Sequence, residues 1–248
     1  MPQAIKQVNP GNKAMLFNVS LCVNTLEKAI SRLDHLPGIT VFYGPSGFGK
    51  STAAAVAMTN LDAYYVQAQS SWTRKAVHLA ILKSMGINPA KTVYEMGDQI
   101  ATQLVNSERP LIIDEADHLV NKGIIETIRD IYEASQAPIM LIGEEFFPAN
   151  LKRWERFHGR ILSWAPAAPA SYEDAAALRQ KFATRVSIAD DLLELVHRES
   201  KGSVRRICVN LERIQQVALS NGLKAMDVAG WGSRELYTGE APSRRLSV

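Results

Sequence analysis

The chain has 248 residues, 46% hydrophobic and 21% charged, with 28 Lys+Arg against 25 Asp+Glu for a formal charge of +3. That length and apolar share support a full hydrophobic core and exclude a long disordered chain, and no apolar run is long enough to span a bilayer. So small a net charge leaves any contact with nucleic acid to local clusters. The two cysteines, Cys22 and Cys208, lie far apart in apolar helical patterns and read as buried small hydrophobes of a reducing compartment. The N-terminus, MPQAIKQVNPGNK, has no signal-peptide core, so the expected location is cytoplasmic, with no membrane partner.

A polar lead-in with Pro10 and Gly11 gives way to a helical pattern over 21–36, where Leu21, Leu26, Ile30 and Leu33 fall near one face. Pro37-Gly38 breaks it, and 39–43 is a short, continuously apolar, β-rich run of the kind found in buried parallel strands. Similar runs recur at 63–67, 111–113, 138–142 and 161–164. Helical stretches at 50–60, 73–85, 94–106, 122–134 and 148–157 separate them. Strands alternating with helices predict an α/β fold with a parallel sheet covered on both faces. After Trp164 the texture changes. A hinge-like linker, 165–169, leads into three helical patterns without a strand, 172–184, 188–200 and 203–220, the last closed by Asn221-Gly222. The expected organisation is a lead-in over 1–20, an α/β nucleotide-binding domain over 21–165, a helical lid domain over 170–222 and an irregular tail over 223–248.

Gly44-Pro45-Ser46-Gly47-Phe48-Gly49-Lys50-Ser51 matches the complete Walker A pattern between a predicted strand and a predicted helix, the context the motif requires. Its glycines let the loop curl so that backbone N–H groups point inward at a β-phosphate, and the following helix adds its positive end. Lys50 supplies a point charge to the β- and γ-phosphates and Ser51 a hydroxyl to Mg2+; Thr52 completes the candidate ATP contacts. Downstream, Leu111-Ile112-Ile113-Asp114-Glu115 is an apolar strand ending in two acids at the carboxyl edge of the sheet. Asp114 can hold the Mg2+ shell, and Glu115 can polarise an attacking water as general base. Two acids after a strand can also cap a helix; the Walker A loop upstream favours the chemical reading. A water-activating Glu points to hydrolysis rather than phosphoryl transfer to a metabolite.

With the helical segment that follows, these residues resemble the AAA+ superfamily of P-loop ATPases. The resemblance implies an Mg2+-dependent ATPase with a five-stranded parallel sheet and a small C-terminal helical lid. Arg156-Phe157-His158-Gly159-Arg160-Ile161 stands before the fifth strand, where such proteins carry an arginine that reaches the neighbouring subunit's nucleotide. Arg160 is the first candidate for that role, with Arg156 as its competitor. Gly202-Ser203-Val204-Arg205-Arg206 resembles the sensor-2 motif, which implies that Arg205 contacts the γ-phosphate. At the end of strand four, where many relatives place the Asn, Ser or Thr of sensor 1, this chain has Gly143-Glu144.

Within AAA+ the layout is similar to the transposition helper ATPases of the phage Mu B type and of bacterial transposons. Small size, a minimal lid, Leu141-Ile142-Gly143-Glu144-Glu145 and the closing Gly239-Glu240-Ala241-Pro242-Ser243-Arg244-Arg245 carry that similarity. It implies ATP-bound copies assembling on double-stranded DNA as a helical filament or ring, delivering target DNA to a transposase and disassembling on hydrolysis. A helicase loader or replication-initiator ATPase shares the fold and motifs and is the first alternative. A signalling or secretion ATPase acting on protein partners is the second.

Gln69-Ser70-Ser71-Trp72-Thr73-Arg74-Lys75 follows the second strand, a region that faces DNA in the resembling family. There Arg74 and Lys75 can contact phosphates, and Trp72 and Thr73 sugars. The competing reading is a solvated helix start with Trp72 packed on the sheet. A second basic cluster, Lys152-Arg153 with Arg156 and Arg160, is assigned to a subunit interface. No zinc-finger or helix-turn-helix signature is visible, so DNA binding is expected to be electrostatic and nearly independent of sequence.

Overall fold

The computed structural model describes residues 16–240. They fall into two units, one over Asn18–Ala167 and one over 168–240 together with Leu16 and Phe17. The first unit runs α1 (Phe17–Ile30), β1 (Ile39–Tyr43), α2 (Lys50–Asn60), β2 (Tyr64–Gln67), α3 (Arg74–Met85), α4 (Val93–Ser107), β3 (Leu111–Asp114), α5 (Asp117–Asn121), α6 (Ile125–Ser135), β4 (Ile139–Gly143), α7 (Phe147–Leu151), α8 (Glu155–His158) and β5 (Ile161–Pro166). The five strands form one parallel sheet in the order β2-β3-β4-β1-β5.

Side chains alternate across a strand, so the sheet register sorts the strand residues by face. Ile39, Val41, Tyr64, Val66, Leu111, Ile113, Ile139 and Leu141 share a core with Val77 and Ile81 of α3, Ile100 and Leu104 of α4, and Ile128 of α6. The alternate residues, among them Phe42, Tyr65, Ile112, Asp114, Met140 and Ile142, lie on the opposite face. There the Cys22 thiol of α1 lies 3.6 Å from the Met140 sulfur, and α2 runs beside β3. Burial pushes the Cys22 thiol up to about 12, with the Asp114 charge adding to the shift, so it stays a small apolar residue.

Several boundaries differ from the sequence expectation. The first helix covers Phe17–Ile30 rather than 21–36. Arg32 ends it: Nη1 donates to the Ala29 carbonyl at 2.7 Å and Nε to that of Leu36 at 3.3 Å, while Nη2 reaches the Gln136 carbonyl. Leu33, counted on the apolar face, is 64% exposed. The helix expected at 122–134 is α6, set apart from α5 by a turn through Gly123 at φ 68°. The one expected at 148–157 is two short helices, α7 and α8, separated at Trp154, which packs on the core.

The second unit contains α9 (Tyr172–Phe182), β6 (Ser187–Ile188), α10 (Asp190–Ser200), α11 (Val204–Ser220), β7 (Ala225–Met226) and α12 (Val228–Trp231). Ser171 and Asp174 close a capping box at the start of α9, and the Ser203 hydroxyl caps α11. Leu178, Leu192, Leu193, Val196, Ile207, Leu211 and Ile214 are buried. Two features depart from an all-helical unit with an irregular tail. First, β6 and β7 pair in parallel, Ile188 opposite Met226. Second, the tail folds: Trp231 is 1% exposed, and the buried Asn210 amide binds the Tyr237 backbone at both ends, Nδ2 to O at 3.0 Å and N to Oδ1 at 2.7 Å. Residues 241–248, including Arg244 and Arg245, lie outside the described residues, as does most of the 1–20 lead-in.

Candidate functional site

The loop between β1 and α2 holds the Walker A residues. Gly47 and Gly49 sit at φ 86° and 84°, in the left-handed region where an L side chain is strained, and this curls the loop. Gly49 is also the N-cap of α2 and provides no side-chain cap, and α2 has no acid in its first turn. The helix therefore begins with backbone donors open to an anion and its positive end uncompensated. Lys50 folds back over the loop, Nζ donating to the carbonyls of Gly44 at 2.7 Å and Pro45 at 3.0 Å. The Asn18 amide of α1 donates to the Phe48 carbonyl at 2.9 Å, anchoring the loop from the sheet's side. Ser51 and Thr52 are exposed, as is Ser46.

The acids converge on the same end. Asp114, 2% exposed at the end of β3, accepts from the Glu115 backbone N–H at 2.9 Å through Oδ1 and from the Tyr65 hydroxyl at 3.0 Å through Oδ2. Glu115 is half-buried, with its backbone at φ 55°. A non-glycine residue held there carries strain of order 1–3 kcal/mol, which a reacting position often tolerates. Burial raises the Glu115 carboxyl above its ordinary range, the charges of Asp114 and Glu144 raise it further, and Lys50 and His118 oppose them. Burial lowers the Lys50 ammonium, while Glu115, Glu144, Asp114 and Asp117 pull it back up. One ammonium thus stands in the field of four carboxyl groups. Asp117 accepts from the Glu144 backbone N–H at 2.8 Å, and burial raises its carboxyl as well.

These residues fit a nucleotide with a divalent cation. Uncapped helix donors and Lys50 suit phosphates, and Mg2+ is usually held by one or two protein oxygens with phosphates and water. Among the described residues no group of three His, Cys, Asp or Glu is arranged to hold a metal by itself. Gly143 stands at the end of β4, where the resemblance would place an Asn, Ser or Thr. A Cβ at Gly143 would lie 2.4 Å from the Phe147 ring, so the end of β4 has no room for a polar side chain.

Other expected site residues are placed as follows. Arg160, at the start of β5, is ion-paired with Glu133 of α6, whereas Arg156 on α8 is exposed and has no ion pair among the described residues. Arg205 is exposed in the first turn of α11, within the second unit. Trp72 is half-buried against the core of the first unit, and its carbonyl accepts from Lys122 Nζ at 3.3 Å. The Thr73 hydroxyl caps α3 by accepting from the Ala76 N–H at 3.3 Å. Arg74 and Lys75 are exposed. Sequence reasoning missed Tyr65, Asn18 and Asp117. Only Tyr65 left a signal, an alternation with Gln67 that becomes meaningful once β2 is known to lie beside β3.

Residues 33–151 match a family model described as an AAA domain. No curated protein matches the sequence. Among solved structures, the chain is similar to Cdc6p from Pyrobaculum aerophilum, with TM-score 0.63 and 15% identity over 91% of this chain and 66% of that one. It is similar to domain III of the replication initiation protein DnaA from Thermotoga maritima, with TM-score 0.59 and 14% identity over 93% and 95%. It is also similar to the Orc1 protein of Aeropyrum pernix, solved in complex with DNA, with TM-score 0.57 and 20% identity over 89% and 63%. The chain thus spans just under two thirds of the Cdc6p and Orc1 chains. The fold is that of an AAA+ P-loop NTPase, an α/β domain with a five-stranded parallel sheet. No described helix is long and apolar enough to cross a membrane.

Proposed function

We propose that the protein is an ATP-hydrolysing AAA+ ATPase that acts on duplex DNA, in the manner of a replication initiator or helicase loader. The observation that carries the ATPase reading is the meeting of Lys50 with Asp114 and Glu115 beside the uncapped start of α2. Lys50 and the loop N–H groups from Ser46 to Thr52 bind the β- and γ-phosphates. Ser51 and Asp114 would hold Mg2+, which would neutralise phosphate charge. Glu115 takes a proton from the attacking water, and a carboxyl raised by burial is closer to the pKa a base needs near neutrality. An arginine of α8 or its end, Arg156 or Arg160, completes the site of a neighbouring copy. Such head-to-tail contacts build rings or open helices.

The DNA reading rests on the fold shared with the replication initiation protein DnaA and with Orc1, which was solved in complex with DNA, and on the exposed pair Arg74 and Lys75 at the start of α3. Those neighbours favour the initiator or loader over the transposition helper that the sequence suggested first. The helper, with a transposase partner and a filament on target DNA, is retained as the second reading, on the strength of the 141–145 and 239–245 segments. Duplex DNA carrying a fluorescent base analogue, titrated with protein and ATP, separates them. ATP-dependent binding with strand opening supports the initiator. Binding along closed duplex without opening supports the helper, and no binding to DNA turns attention to a protein partner. Lys50→Ala abolishing the ATP dependence ties the result to this site.

A further inference from the structure

On the α1 and α2 face of the sheet, the Tyr65 hydroxyl reaches Asp114 from a neighbouring strand. In the β2–β3 register Tyr65 stands opposite Ile112 and Gln67 opposite Asp114. Residues two apart on a strand share a face and are separated by about 6.6 Å, roughly the reach of a tyrosine side chain. The Tyr65 hydroxyl therefore spans the gap and donates to Asp114 Oδ2 at 3.0 Å. The other oxygen, Oδ1, is held at 2.9 Å by the Glu115 N–H.

Two donors on two different oxygens fix the plane of a carboxylate whose terminal torsion is otherwise broad. One donor is local and would be kept by any Asp-Glu pair in this turn; the other comes from a different strand. Each carboxylate oxygen can accept about two hydrogen bonds, so both retain a lone pair for a cation or its water. The tyrosine ring would pack equally well as phenylalanine, and a half-buried hydroxyl costs desolvation unless it is bonded. The hydroxyl is thus explained by its bond to Asp114 and by no other contact among the described residues.

We propose that Tyr65 is a positioning residue of the metal subsite, holding Asp114 in the orientation in which it receives Mg2+ with the nucleotide. The inference rests on the nucleotide-site reading above. Hydrogen-bond partners behind a metal ligand typically govern affinity or activity about 10- to 100-fold. Tyr65→Phe keeps the ring and removes the donor.

The test uses the full chain and a fluorescent N-methylanthraniloyl-ATP, with affinity measured in EDTA and across a Mg2+ titration. For Tyr65→Phe the EDTA affinity should stay within about twofold of the parent, while the Mg2+ concentration at half-effect rises about tenfold. An unchanged Mg2+ midpoint in folded Tyr65→Phe overturns the inference. An equal loss of affinity with and without Mg2+ also overturns it, since that is the signature of a merely structural role. Lys50→Ala serves as the control for the site: if it binds nucleotide like the parent, the nucleotide-site reading fails, whatever Tyr65 does.

Discussion

Arg160 is ion-paired with Glu133 of its own chain, which ties the start of β5 to α6. Both partners are substantially exposed, at 44% and 40%, so the pair adds little stability, in the range of about 0–1 kcal/mol. Its effect is to occupy the guanidinium. Arg156, on α8, remains open to solvent without an ion pair among the described residues. Arg156→Ala is therefore expected to lower ATP turnover of the assembled protein at least about tenfold, as losing one charge-assisted contact at a transition state does. Nucleotide affinity of dilute protein should be unchanged, and mixing with Lys50→Ala protein should restore part of the turnover. If Arg160→Ala shows that behaviour and Arg156→Ala does not, the ion pair opens on assembly and Arg160 is the trans-acting residue.

Lys50→Ala should lose most ATP binding, because it removes the ammonium that stands among four carboxyl groups. Glu115→Gln should keep binding and lose hydrolysis. Burial raises Glu115 above its ordinary pKa, so the folded chain keeps its proton to a higher pH than the unfolded chain does. The ionised carboxylate therefore opposes folding, and that contribution to stability is lost as pH rises through the raised value. Glu115→Gln should melt higher than the parent at neutral pH. Glu144→Gln removes one of the charges raising Glu115 and should move the acid limb of the hydrolysis profile to lower pH. A limb that stays in place would free Glu115 from Glu144.

Gly143→Ala puts a Cβ 2.4 Å from the Phe147 ring, so the ring or β4 must shift. Overpacking of this kind costs about 1–3 kcal/mol. Urea titration of Gly143→Ala and Gly143→Asn should show both losses, and an unchanged midpoint would mean that Phe147 yields freely.

Arg74→Ala with Lys75→Ala should weaken duplex binding equally across sequences. If both contact phosphates, the slope of log affinity against log salt falls by about 1.8. An unchanged slope removes the start of α3 from the DNA surface.

Trp231→Ala should destabilise the helical unit by about 3–5 kcal/mol, the usual cost of emptying an aromatic site in a core. Trp231 is 1% exposed, and its indole N–H donates to the Arg234 carbonyl at 2.8 Å, so the tail belongs to that unit's packing. Chain ending after Lys224 should lower the melting temperature for the same reason. A truncated protein that melts like the parent would show Trp231 to be dispensable.

The Walker A loop was legible in the sequence because it is a local device. Glycines at fixed spacing, one lysine and a helix start specify it within a few residues, and an apolar strand ending in two acids marks the second half just as locally. The alternation of strands and helices likewise predicted a parallel α/β sheet. What the sequence did not contain was the strand order β2-β3-β4-β1-β5. That order sets Tyr65 beside Asp114, because a cross-strand bond depends on which strands are neighbours and in what register. Non-local contacts decided the rest in the same way. Arg32 capped α1 earlier than periodicity suggested. The pairing of Ile188 with Met226 and the clamp of Asn210 on Tyr237 folded a tail whose glycines read as irregular chain. Periodicity reports which face of an element is apolar; only the packed structure determines what that face meets.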